Sequence, residues 1–156
     1  MPHPHLISFV IPAWNEESVL GPTLEAVSVA ARHLVEPSEV IVADDSSTAR
    51  TAEIARQHGA RVVTVQHRQI SGTRNAGARV AQGDLLIFID ADTIVTPEAV
   101  RASEQAVFAE ALQCPTPEAR VAYLEAELVK LRYFVGLKIE EAAVEKPIEA
   151  EHGKAC

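Results

Sequence analysis

Long apolar runs, paired cysteines, aromatic residues and basic charge are all scarce in this sequence. No stretch approaches the roughly 18 consecutive apolar residues of a membrane-spanning helix, so no transmembrane segment is expected. The opening residues Met1-Pro2-His3-Pro4-His5 have neither the basic nor the apolar region of a secretory leader. His3 and His5 read as a solvated tail, not as a metal pair. Cys114 and Cys156 are far apart and match no disulfide framework or zinc spacing, which points to a reducing, cytoplasmic setting with peripheral membrane attachment left open. With 14 Lys and Arg against 22 Asp and Glu, the formal net charge is −8. That balance argues against a nucleic-acid partner, whose phosphates would need basic residues. A Gly-x-Gly-x-x-Gly after the first strand and a P-loop are also missing, which argues against dinucleotide oxidoreductases and Walker-type NTPases.

What is present is a chain of 156 residues, 47% hydrophobic, 23% charged and 4% aromatic, enough for one α/β domain with a sizeable core. Short β-branched runs at 6–11, 39–43, 61–65 and 84–90 read as buried strands, the first ended by Pro12. Helical spacing fills 17–32, with Pro22 tolerable in a first turn. It also fills about 49–58, where Ser46, Ser47 or Thr48 can cap and Gly59 ends the helix. Residues 70–81 form a third helix and Pro97 opens a fourth. Alternating strands and helices predict a mostly parallel open sheet with helices on both faces. This α/β unit is expected over 1–107.

Past it the composition changes: Lys130, Lys138, Lys146 and Lys154 are all the lysines, and no Asp occurs. Residues 108–156 are therefore read as a helical, Glu/Lys-rich tail with a disordered end. Val121, Leu124, Leu128, Leu131 and Val135 form a short heptad-like seam. A helix near 118–139 would present it either to the sheet or to a second copy in a homo-oligomer.

In an open parallel sheet, ligands bind beyond the carboxyl ends of the strands. Those ends carry Pro12 to Glu17, Asp44 to Thr48 and Asp90-Ala91-Asp92. Two carboxylates at i and i+2 can hold one hard cation and leave places for phosphate oxygens, although a short Asp-x-Asp also makes an Asx turn. Asp44 and Asp45 can accept hydrogen bonds from a base or ribose, or cap the next helix. Glu16 suits a ribose hydroxyl or a helix dipole. Arg74, within Gly72-Thr73-Arg74-Asn75-Ala76-Gly77, suits a diphosphate or the solvent. Trp14 is either a lid or a core residue.

Together, Ser8 to Glu17, Val40 to Thr48 with Thr51 to Ala55, Arg74 to Gly77 and Phe88 to Thr93 resemble the ordered blocks of a family-2 glycosyltransferase. The resemblance covers about residues 6–100 and implies the nucleotide-sugar half of a GT-A fold. It further implies inverting transfer from a nucleoside diphosphate sugar, UDP-, GDP- or dTDP-linked, aided by Mg or Mn. By motif, Pro12, Ala13 and Glu16 would line the nucleoside pocket, Asp44 or Asp45 would meet the base, and Arg74 would lie near the nucleotide or diphosphate. Asp90 and Asp92 match the metal and diphosphate motif, with Asp90 also placed at the nucleotide.

Two departures stand out. The family's Asp-Asp-Gly-Ser-Thr-Asp block is here Asp44-Asp45-Ser46-Ser47-Thr48-Ala49, so Ser46 must tolerate a glycine position, which ordinary backbone angles would allow. The acceptor half has no counterpart after Val107, and no catalytic base is identified. The expectation is a truncated chain, weakly active or inactive alone, or one completed by a partner. Two alternatives remain: a non-catalytic nucleotide-binding or assembly module, and a haloacid-dehalogenase-type phosphatase with Asp90 as nucleophile, whose motif would normally sit on the first strand, not the fourth.

Overall fold

Strand β1, Ile7–Ala13, is buried along all seven residues, as a strand must be when both faces of its sheet are covered. The computed structural model describes residues 6–83 and 85–111, with side-chain surroundings through residue 105. After β1 come α1 (Leu20–Ala31), β2 (Ser38–Asp44), α2 (Thr51–Gln57), β3 (Arg61–Thr64), α3 (Ile70–Val80), β4 (Leu85–Phe88) and α4 (Pro97–Ala111). All the strand pairs are parallel, and the order across the sheet is β3-β2-β1-β4. Right-handed crossovers put α1 and α2 on one face and send α3 back across the other to reach β4. The contacts agree: α1 meets α2 and α4, while α3 packs on β1 and β2. The expected α/β architecture is therefore present.

Phe9, Ile11, Leu20, Val27, Ile87 and Val100 anchor the core between the sheet and the α1/α4 layer. Each such side chain contributes about 1.5–3 kcal/mol by leaving water. On the opposite face Gly77 lets α3 approach β1 closely, since a Cβ there would stand 2.5 Å from Val10 Cγ1.

Of the boundaries that differ from the sequence expectation, three have a visible cause. β1 continues through Pro12 to Ala13, because its pairing with β2 runs to Ala13↔Asp44. β4 ends at Phe88 instead of Asp90, because its ladder with β1 stops at Val10↔Phe88. α1 starts at Leu20, not Glu17, because Val19 N and Leu20 N both donate to Glu16 O and hold the preceding residues in a turn. At the amino edge of the sheet, Ser8 Oγ and Gln82 N donate to Glu39 Oε1 (both 2.6 Å), and Gly83 N donates to Ser8 Oγ (2.9 Å). This network ties the connection between α3 and β4 to β1 and β2.

α4 runs across residues 107 and 108 without a break. Residues 112–156, with the expected seam and most of the tail, lie outside the described residues. No helix among the described residues is long and apolar enough to cross a membrane.

Candidate functional site

The chain leaves β1 toward β2 on one side and later reaches β4 on the other, so the switch point of the sheet lies at the carboxyl end of β1. Here the strands part, because β1 runs beside β2 for longer than beside β4. Ile89 N donates to Val10 O on the β4 side, and Asp45 N donates to Ala13 O on the β2 side. Alternation along the strand then puts the Pro12 nitrogen on the β4 side, just past the last ladder pair. A residue without an N–H stands where no donor is required. Pro12 and Ala13 are buried at this fork. Trp14, the next residue, is 63% exposed, which corrects the core reading of that side chain.

On the β2 flank, Asp44 and Asp45 are 4% and 7% exposed. Asp45 Oδ1 accepts from His67 N (2.8 Å) and Oδ2 from Thr73 Oγ1 (3.1 Å), which ties β2 to the loop after β3 and to the first turn of α3. Asp44 Oδ1 accepts from Ser47 N (3.3 Å) and from Ser47 Oγ. Neither aspartate caps α2, nor do Ser46, Ser47 or Thr48: the N-cap position is Arg50 and has no side-chain cap. Residues of the β1–α1 loop serve the approach to that helix instead. Asn15 Oδ1 accepts from Thr48 N (2.8 Å), Thr48 Oγ1 (3.3 Å) and Ala49 N (3.3 Å), and Glu17 Oε2 accepts from Arg50 N (3.2 Å). Glu16 N donates to Thr51 Oγ1 (3.1 Å).

Ser46 has φ +54°, so its backbone is left-handed, not ordinary. Its tolerance comes from elsewhere: Ser46 Oγ donates to Val65 O (2.6 Å), offsetting part of the strain on a non-glycine residue.

On the β4 flank, Arg74 is 8% exposed, and its Nη2 donates to Asp90 Oδ1 at 2.6 Å. The burial of Arg74 in this ion pair with the half-buried Asp90 removes the reading of Arg74 as a solvated arginine. Thr73 and Gly77 are buried on the same helix, so α3 contributes to both flanks. Thr93 N donates to Asp90 O (3.0 Å), and the buried Thr23 on α1 donates from Oγ1 to Ala91 O (2.7 Å). With Ala91 fixed in this way, Asp92 is exposed. Glu16 is half-buried, and burial, followed by the negative charge of Asp92, pushes its carboxyl above the usual range. Asp92 and Glu16 thus repel each other across the crevice.

Among the described residues no three His, Cys, Asp or Glu side chains gather as a ready-made metal cage. The donor set still fits a hard cation. Asp92 and Glu16 are oxygen donors whose repulsion a divalent ion would relieve, and phosphate oxygens and water would complete its shell.

Sequence reasoning missed Asn15, Thr23, His67 and Thr73 and read Ser47 only as a helix cap; all five hold the site without belonging to its charged motifs. Only Asn15 carried a local signal, since Asn is among the few residues tolerated at positive φ, here +52°.

The model of the family described as "Glycosyl transferase family 2" matches residues 8–112. The undecaprenyl-phosphate 4-deoxy-4-formamido-L-arabinose transferase of Serratia proteamaculans is 35% identical over 101 residues, covering 60% of this chain and 31% of that protein. Glucosyl-3-phosphoglycerate synthase from Mycobacterium tuberculosis in complex with UDP is similar in structure, with TM-score 0.53 and 28% identity over 62% of this chain and 38% of that one. TarS from S. aureus in complex with UDP-GlcNAc shares the fold at TM-score 0.57 and 21% identity, covering 67% of this chain and 31% of that one. The chain thus spans about a quarter to a third of the length of the curated relatives it matches.

Proposed function

Because the chain belongs to glycosyl transferase family 2, we propose that it forms the donor-binding half of an inverting glycosyltransferase, which moves a sugar from a nucleoside diphosphate sugar to an acceptor. The observation that carries this reading is the convergence of Pro12, Ala13, Glu16, Asp44, Arg74, Asp90 and Asp92 on one switch point of a parallel sheet. Pro12 and Ala13 floor the nucleoside pocket. Of the two aspartates after β2, Asp44 is the one assigned to the base, since both oxygens of Asp45 already hold the protein's own donors. Arg74 supplies positive charge at the diphosphate, with Asp90 orienting it.

Asp90 and Asp92, the pair expected from the sequence, would hold Mg or Mn, with Glu16 beside Asp92 and with Arg74 on Oδ1 of Asp90. When bound, that ion supplies Lewis-acid stabilisation to the departing diphosphate. UDP is favoured over GDP and dTDP, since the structural relative at 28% identity is a UDP complex. A cytoplasmic location, expected from the cysteine spacing, belongs to the same proposal. The phosphatase alternative fits less well, because Arg74 already engages one oxygen of the carboxylate that would be the nucleophile.

Calorimetric titration with UDP, GDP and dTDP, each with and without Mn²⁺, tests the reading. Metal-dependent binding of UDP is expected. A folded chain that binds none of the three would replace the enzyme with an assembly module.

A further inference from the structure

The ring of hydrogen bonds around Asn15 joins two loops that are distant in sequence and share no ladder beyond Ala13↔Asp44. The Asn15 side chain receives the Thr48 and Ala49 amides, and its own N–H donates to Ser47 Oγ at 2.9 Å. Ser47 Oγ in turn donates to Asp44 Oδ1. One residue therefore grips the β2–α2 loop from both sides, and the same grip ends on the carboxylate assigned to the base. Two residues before it stands Ala13, and next to it stands Glu16, whose N–H is fixed on Thr51. The backbone pays for this arrangement with a left-handed φ of +52° at Asn15.

We propose that Asn15 is a positioning residue for nucleoside recognition: its side-chain oxygen clamps the β2–α2 loop at Thr48 and Ala49 and so holds Ser47, which also takes the Asn15 backbone N–H, against the carboxylate of Asp44 that the β1–β2 ladder places beside Ala13, before any ligand arrives. Loops ordered in advance spare the ligand the entropy of ordering them, so the clamp acts on affinity for the nucleoside part and not on the cation. The inference rests on the donor-site reading above.

Asn15→Gly and Asn15→Asp separate the possible causes. Glycine keeps the left-handed backbone and removes the acceptor, whereas aspartate keeps both an acceptor oxygen and the side-chain shape. Affinities for UMP without metal and for UDP with Mn²⁺ are measured with amide hydrogen exchange on the full chain. In Asn15→Gly both affinities are expected to fall by the same factor, about tenfold, and exchange at Ser47, Thr48 and Ala49 to accelerate. In Asn15→Asp both affinities return to within about threefold of the parent. Should Asn15→Gly fail to fold, Ser47→Ala opens the ring from its other side, with the same uniform loss expected.

Faster exchange with unchanged UMP affinity would overturn the positioning role while leaving the donor site standing. So would a loss confined to the Mn²⁺-dependent part, or an aspartate variant as weak as the glycine one. If the parent chain binds neither UMP nor UDP, the donor-site reading itself fails and the clamp's assigned role falls with it.

Discussion

On the β2 flank of the crevice the carboxylates are already engaged by the protein, Asp45 by His67 and Thr73 and Asp44 by Ser47. On the β4 flank only Asp90 is held in that way, while the exposed Asp92 confronts the carboxyl of Glu16. One flank is fixed by hydrogen bonds before a ligand comes. On the other, the negative charges of Glu16 and Asp92 oppose each other, which a divalent cation would relieve. The difference suits a ligand with a neutral, shape-specific nucleoside at one end and a multiply charged diphosphate at the other.

The largest effect that would sharpen this contrast is expected from Asp92→Ala. It should remove the Mn²⁺-dependent gain in UDP affinity, a loss of about a hundredfold or 2.7 kcal/mol, and leave metal-free UMP binding as it was. Equal losses for both ligands would erase the distinction between the flanks.

Gly77→Ala comes next, because the added Cβ would stand 2.5 Å from Val10 Cγ1 and push α3 off β1. The expected destabilisation is about 1–3 kcal/mol by denaturant unfolding, partly recovered by adding Val10→Ala. As Arg74 rides on the same helix, UDP affinity should fall more than UMP affinity.

Ser46→Gly probes the β2 flank with the opposite sign. It relieves the left-handed strain at φ +54° and gives up the hydrogen bond to Val65 O, for a net gain of up to about 1 kcal/mol. A loss of stability would mean that the bond to Val65 outweighs the strain.

The smallest effect on ligand binding lies away from both flanks, on α4. Burial, then a hydrogen bond to Glu36 and the negative charge of Glu36, raise the Glu104 carboxyl to about 7, with Arg101 opposing. The folded chain therefore holds this proton more tightly than the unfolded chain. That contribution is complete below pH 4.5 and is lost as pH rises through about 7. Chemical denaturation across that window should show stability declining with pH, and Glu104→Gln should flatten the slope while UDP affinity stays unchanged.

The sheet was legible because its strands are short β-branched runs, and the motifs were legible because charged residues cluster where those runs end. The ends of the strands were less so. Pro12 reads as a strand breaker until the neighbouring register shows that its nitrogen faces a place without a partner. Ser46 reads as a position of ordinary backbone geometry until its angle is known. The supporting residues were hidden for a different reason: Asn15, Thr23 and Thr73 act on groups 28 to 68 positions away through bonds that only the folded topology creates, as in Thr23 with Ala91 across 68 positions. Local pattern carries no trace of such pairings.

The most direct test of a nucleoside flank built in advance and a diphosphate flank completed by a cation is a titration of the full chain with UMP and UDP across a range of Mn²⁺ concentrations. The account predicts a UMP affinity that does not respond to Mn²⁺ and a UDP affinity that rises with it. A UMP affinity that climbs in step with that of UDP, or a UDP affinity indifferent to the metal, would contradict it.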